Sequence, residues 1–392
     1  MFPKIWQWKI NFWSFMSVLT ILVLLISIVP AAPTQAQEQV RVVSPEVLPD
    51  GTVTFRYYDP TATQVQLYIE MGRNALGAMC YGAIPGQSGW PVYEMTFDVA
   101  TGIWSYTIPT MEPNVYNYHF NVWWPGSSRS TLVIDPSNPA WNPAALNTQL
   151  YVPGPGNEWQ SIQDVPHGQL QEVFYFSTAT GTDRPLTVYT PPDYDKSSRT
   201  YPTLYLSHGA GGNHVDWTTQ GVANNILDNL IAQHKIRPMV VVMTNFNGIP
   251  GGTNGYRLDV IDSVIPAIES MYRVNNNPDQ RAFAGLSAGG SRAANILVNS
   301  PWEFGFIGIW SMGGLTQSNL LPNLDAIRMV RGIDISVGAM DFTYNSAVQS
   351  MAALDYYGIP YTGLVTPGDC HTWYFWREAL YQFLVGPLFK IN

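Results

Sequence analysis

Gly285-Leu286-Ser287-Ala288-Gly289-Gly290 is the stretch of this 392-residue chain most clearly shaped for covalent chemistry. It fits G-x-S-x-G, in which a serine sits on a strained strand-to-helix turn between residues small enough to let the turn close. A serine hydroxyl at its ordinary pKa is a weak nucleophile, so it needs a base, and the base needs an orienting acid. Six histidines are available, at 119, 167, 208, 214, 234 and 371. His371 follows a strand-like run, Tyr361 to Thr366, through the loop Pro367-Gly368-Asp369-Cys370. It also comes after the serine, in the Ser…acid…His order of α/β-hydrolases. Among the acids between the two, Asp341 follows the run Ile333 to Val337 at the edge where an orienting acid must sit, with Asp369 as the alternative. Two backbone N–H groups must then face the developing oxyanion. Ala288, directly after the serine, supplies one. Ala210, in Ser207-His208-Gly209-Ala210-Gly211-Gly212, supplies the other, with His208 shaping the loop.

These residues require a parallel sheet to hold them. From about Gly168 the chain alternates strand-like runs (Arg184–Thr190, Thr203–Leu206, Met239–Met243, Arg281–Ala284, Phe306–Trp310, Ile333–Val337) with helical ones. The helices are expected over Gly221–His234, Asp259–Met271, where Pro266 must kink or restart it, and Ala288–Asn299. Continuous apolar strands between helices predict a mostly parallel sheet covered on both faces, with its site at the carboxyl ends of the strands. The section before it differs. Short β-branched and aromatic runs at 40–43, 52–57, 65–69, 103–108, 115–124 and 131–134, punctuated by turn residues, predict an all-β sandwich. The expected organisation is therefore a sandwich over 37–150, a linker over 151–165 containing Pro153-Gly154-Pro155-Gly156, and an α/β-hydrolase domain over 166–392.

Lys4 and Lys9, the uncharged run Phe12 to Val29 and a small-residue stretch ending at Ala36 form a secretory signal pattern over residues 1–36. The run is long enough that an uncleaved membrane anchor is the alternative. The net charge of −9 gives no basic field for a nucleic acid. No metal-ligand or phosphate-cradling spacing occurs, so no metal or cofactor is expected. Only Cys80 and Cys370 are present, and in an oxidising compartment they either pair or remain two separate thiols.

The loop at 207–212 with Asp216-Trp217, the turn at 285–290, and His371-Thr372-Trp373 with Trp376-Arg377 resemble the Putative esterase family over roughly residues 165–390. That family includes carbohydrate esterase family 1 feruloyl and acetyl-xylan esterases, enterochelin esterases and mycolyltransferases. Val43-Ser44-Pro45-Glu46 with Gly51 to Arg56 resembles the early-set immunoglobulin-like domain often found in front of such esterases, itself similar to family-48 carbohydrate-binding modules. Two positions depart from the family pattern: Ala288 stands where Met is frequent, and Cys370 where Gly commonly precedes the histidine. The resemblance implies a secreted or periplasmic serine esterase acting on polysaccharide-linked feruloyl or acetyl esters. A siderophore trilactone or a polyester is the alternative substrate, and a non-catalytic glycan-binding protein the alternative class. Trp217, Trp373 and Trp376 are candidate pocket walls, with burial in the core as the other reading.

Overall fold

The computed structural model describes residues 42–70 and 90–389. The signal pattern at 1–36 and Cys80 lie outside the described residues, as does the first half of the strand expected at 40–43. The residues from Val42 onward form one compact unit. No helix among the described residues is long and apolar enough to cross a membrane.

The first section is all-β. Its strands are β1 (Glu46–Val47), β2 (Val53–Tyr58), β3 (Gln64–Ile69), β4 (Val92–Glu94), β5 (Thr96–Asp98), β6 (Ile103–Ile108), β7 (Asn114–Trp123), β8 (Thr131–Val133) and β9 (Thr148–Val152). They form two antiparallel sheets, β1-β2-β6-β5 and β4-β3-β7-β8, with β9 added against β7. Alternation explains the arrangement: in β2 and β3 every second residue is buried, so Val53, Phe55, Val65, Leu67 and Ile69 meet in a shared core. Phe55 packs edge-on against Tyr118 at 4.9 Å between ring centroids.

One expectation needs correction. Among the described residues the first strand is Glu46–Val47, so Val42 and Val43, expected in a strand over 40–43, lie outside one. β9, at the end of the first section, runs to Val152 and pairs with β7. The stretch beyond it is packed rather than free. Trp159 lies 4.9 Å from the Tyr381 ring, and Asn229 Nδ2 donates to the carbonyls of Glu158, Trp159 and Ser161.

The second section is built on an eight-stranded sheet: β10 (Gln169–Ser177), β11 (Thr182–Thr190), β12 (Thr203–Ser207), β13 (Val240–Thr244), β14 (Arg281–Leu286), β15 (Phe306–Trp310), β16 (Gly332–Gly338) and β17 (Val365–Thr366). The order is β10-β11-β13-β12-β14-β15-β16-β17, antiparallel for β10, β11 and β13 and parallel from there on. This is the α/β-hydrolase arrangement. Strands β12 to β15 are buried at every residue, as helices on both faces demand. Pro266 is absorbed without a break. The helix Gly252–Asp259 widens into a π turn over Val260–Val264 and resumes as Ile265–Met271, which accommodates the missing N–H of proline.

A buried ion pair ties the sandwich to the last helix, Trp373–Val385. Glu70, at the end of β3, accepts from Asn117 Nδ2 at 2.8 Å and from the Tyr374 N–H at 3.2 Å. Arg377 lies 3.9 Å from the same carboxylate and donates to the Gln220 carbonyl at 2.8 Å and the Val115 carbonyl at 2.6 Å. Both side chains are fully buried. Burial raises the Glu70 carboxyl and lowers the Arg377 guanidinium, each only partly offset by the other's charge. Such a pair adds little net stability, but losing one partner strands the other charge in the interior. Arg377→Met should therefore cost about 3–5 kcal/mol in urea unfolding at neutral pH. Combining it with Glu70→Gln should recover most of that loss. A single-variant cost below about 1 kcal/mol would show that the pair is not a structural tie.

Candidate active site

Ser287 follows β14 directly and precedes the helix Ala288–Asn299, with φ 52° and ψ −120°. That left-handed backbone is strained for a residue with a Cβ, and the surroundings must hold it. The Ser287 N–H donates to the Trp310 carbonyl at 2.8 Å, anchoring the turn to β15. A Cβ at Gly285 would lie 2.5 Å from the Gly289 backbone, and one at Gly289 would lie 2.5 Å from the His208 carbonyl oxygen. Only glycine lets the turn, the helix and the loop after β12 approach this closely.

His371 and Asp341 meet the serine from two other sheet ends. The Ser287 hydroxyl lies 2.8 Å from His371 Nε2, and His371 Nδ1 lies 3.0 Å from both Asp341 oxygens. Asp341 also accepts from the Thr343 N–H and hydroxyl, each at 2.8 Å. With Nδ1 donating to the carboxylate, Nε2 is left as the acceptor that a serine proton needs. Burial acts to raise the Asp341 carboxyl, but the hydrogen bond and charge of His371 and the Thr343 N–H outweigh it, so it lies below its usual range. Asp369, the alternative acid, is buried elsewhere in the loop, where its carbonyl accepts the Met340 N–H. His208 does not join the relay. Its Nδ1 lies 2.7 Å from the Gly209 carbonyl, its ring stacks on Phe246 at 4.0 Å, and burial pulls it down to about 4, so it stays neutral.

The three candidate tryptophans divide. Trp373 and Trp376 line a cavity of about 540 Å³ that also takes in Ser287, His371, Leu286 and Phe342. Trp376 stands edge-on to His371 at 5.0 Å and donates its indole N–H to Ser311 Oγ at 2.9 Å. Trp217 is not part of the lining. It is 1% exposed, donates to the Ser207 carbonyl, and packs edge-on against Trp373 at 5.1 Å, so it supports the wall from behind. Gly209, Ala210, Gly211 and Gly212 form the cavity's rim beside the serine. Ala288 is the first residue of its helix, so its N–H has no partner within the helix and is available at the serine. Cys370 is buried and is not a free thiol among the described residues.

Sequence reasoning missed about a third of the cavity lining. Tyr68, Trp90, His119, Leu132, Leu146 and Asn147 come from the sandwich section, so the two sections share one wall. Phe342, next to Asp341, caps His371 at 4.3 Å between centroids. Its position directly after the orienting acid was the one available signal. Asp216 also lines the cavity, and burial raises its carboxyl from 3.8 to about 7.

Between about pH 4 and pH 7 the folded chain therefore holds a proton on Asp216 that the unfolded chain has released. This contribution makes stability fall as pH rises through that window and level off above about 7. Asp216→Asn should gain in melting temperature relative to the parent between pH 5 and pH 8. A parent–variant difference that is the same at both pH values would contradict this assignment.

Residues 177–319 match the family model described as "Putative esterase", a span that holds Ser287 and stops before Asp341 and His371. The chain is 30% identical over 305 residues to the endo-1,4-beta-xylanase/feruloyl esterase of Xylanibacter ruminicola, covering 74% of this chain and 40% of that protein. It is 27% identical over 242 residues to endo-1,4-beta-xylanase Y of Acetivibrio thermocellus, covering 53% of this chain and 22% of that protein. The chain thus spans less than half the length of these curated relatives. Among solved structures, the feruloyl esterase module of Clostridium thermocellum complexed with sinapinate matches with a TM-score of 0.53 at 23% identity, over 62% of this chain and 96% of that one. The enterobactin esterase of Shigella flexneri matches with a TM-score of 0.58 at 19% identity, over 85% of this chain and 92% of that one, so its likeness reaches into the sandwich section. Fold and comparisons agree on an α/β-hydrolase domain, matching the Putative esterase model over residues 177–319, preceded by a β domain.

Proposed function

We propose that the chain is a carboxylic-ester hydrolase in which Ser287 is the nucleophile, His371 the general base and Asp341 the residue that orients the base. The observation that carries this reading is the relay itself: 2.8 Å from Ser287 Oγ to His371 Nε2 and 3.0 Å from His371 Nδ1 to Asp341. In the acylation step Ser287 Oγ attacks the ester carbonyl as its proton passes to His371 Nε2. The oxyanion forms beside the N–H groups of Ala288 and Ala210. Collapse expels the alcohol, which takes the proton back from His371, and leaves an acyl-serine. Water, deprotonated by the same imidazole, then releases the acid. His371 acts as the neutral imidazole, whose Nε2 accepts the serine proton.

The substrate class we propose is a feruloyl or acetyl ester of a plant polysaccharide. The named activity of the Xylanibacter relative and the pairing of an ester-cleaving fold with a β domain support it. The wide cavity, with aromatic walls from both sections, supports a bulky ester over a free short-chain one. A non-catalytic glycan-binding role is disfavoured by the relay, because a binding site has no use for a serine held in a strained backbone against a histidine. We also propose export by a signal segment over 1–36, a sandwich and a hydrolase domain meeting near residue 150, and a Cys80–Cys370 disulfide beside His371. Intact mass under reducing and non-reducing conditions tests the disulfide, and N-terminal sequencing of the exported protein tests the cleavage after Ala36.

Kinetics on methyl ferulate, acetylated xylan and p-nitrophenyl acetate test the activity. Ser287→Ala should fall below about 1% of parent turnover while its melting temperature stays within a few degrees. Asp341→Asn should keep the fold and lose about four orders of magnitude in kcat. An Asp341→Asn variant that turns over within tenfold of the parent would remove Asp341 from the mechanism. Failure of Ser287 to react with a fluorophosphonate would remove the serine.

A further inference from the structure

Three polar side chains of the cavity lining form a directional hydrogen-bond chain that crosses from the sandwich to the hydrolase section, toward a fourth, Asp216. His119 Nδ1 lies 2.7 Å from Asn147 Oδ1, and Asn147 Nδ2 donates to Gln220 Oε1 at 2.6 Å. An amide oxygen only accepts, so His119 donates at one end and the Gln220 amide is left to donate at the other. Next to it stands the Asp216 carboxyl, which burial raises against the Asn213 backbone and Gln220, both favouring its charged form. The chain ends there. Asp216 is 3% exposed, and its Oδ1 has no hydrogen-bond partner among the described residues. All four residues line the cavity that contains Ser287 and His371. The same lining includes the apolar Leu286, Phe342, Trp373 and Trp376.

We propose that Asp216, held by Gln220, Asn147 and His119, binds a hydroxyl group of the ester substrate. The inference rests on the esterase reading of the same cavity and adds the substrate chemistry that its polar wall selects. A buried acceptor with no partner is costly to leave unmade, and a substrate O–H supplies the missing donor. A hydrocarbon acyl chain cannot. Burial lifts the carboxyl to about 7, so near neutrality it is protonated part of the time and can both give and accept a hydrogen bond. The ring stack beside it, Tyr68 on His119 at 4.8 Å with Trp90 5.7 Å from Tyr68, offers a flat apolar face to a ring that carries such hydroxyls. The hydroxyl has two possible sources: the phenol of an aromatic acyl group, or the sugar that forms the alcohol half.

Equilibrium binding to the Ser287→Ala chain, read by tryptophan fluorescence, separates them without turnover. Three ligands are compared: methyl ferulate, methyl 3,4-dimethoxycinnamate, which lacks the phenol, and methyl 5-O-feruloyl-arabinofuranoside, which adds sugar hydroxyls. Asp216→Leu should weaken the ligand that carries the recognised hydroxyl by about 10- to 100-fold more than its partner lacking it. A loss confined to the comparison with and without the phenol assigns the acyl group. A loss confined to the comparison with and without the sugar assigns the alcohol. Equal weakening of all three ligands, or none, overturns the proposal. If Asp216→Leu does not fold, Gln220→Met carries the same comparison, since it removes the amide that holds the carboxyl. Turnover of the same esters by the unaltered chain is measured in parallel. Its absence would count against the esterase reading alone, because the binding comparison does not depend on it.

Discussion

Glu70 and Arg377 are two opposite charges removed from water, and everything at the site depends on their staying together. Neither has an alternative partner of opposite charge among the ion pairs of the described residues, so β3 of the sandwich cannot leave the helix Trp373–Val385 without stranding a charge. That helix begins two residues after His371, and its Tyr374 N–H is bound to the same carboxylate. The imidazole has little other support from regular structure, because β17 before it has only two residues. The sandwich is therefore part of the frame that sets His371 against Ser287, as well as about a third of the cavity lining.

Rings carry that frame inward. Trp310 on β15, Trp217, Trp373 and Trp376 meet edge-to-face in succession at 5.1–5.6 Å, and Trp376 meets His371 at 5.0 Å. Edge-to-face aromatic pairs prefer a particular geometry as well as burial, so this series restricts both position and tilt. At the other end, Ser287 is held by a backbone bond to β15 and by glycines that admit the neighbouring loop. The imidazole and the hydroxyl are thus both referenced to the same strand.

Much of this was legible in the residues. The G-x-S-x-G turn, the order Ser287–Asp341–His371 and the apolar runs of β12 to β16 are local patterns, each set by the backbone conformation it must adopt. The sandwich strands 53–58 and 64–69 were readable for the same reason, since alternation is a short-range signal. What was not legible depends on distant pairing. β9 follows a proline-rich loop and has an ordinary composition, so nothing local tied it to β7. Trp217 and Trp376 look alike in sequence, and only the packing decides that one lines the cavity while the other stands behind it. The contribution of Tyr68, His119 and Asn147 to the site was hidden because it arises from docking one section on another, which no spacing along the chain encodes.

The central claim is that the acyl group passes from the ester to Ser287 Oγ while the serine proton passes to His371 Nε2. The most direct measurement is a rapid acid quench after mixing with p-nitrophenyl acetate, followed by trypsin digestion and mass spectrometry. The account requires a burst of p-nitrophenol of about one equivalent per chain. It also requires one acetyl group on the peptide between Arg281 and Arg292, where Ser287 lies, and its loss in Ser287→Ala. Hydrolysis without an acylated peptide, or an acetyl group that persists on that peptide in Ser287→Ala, would contradict it.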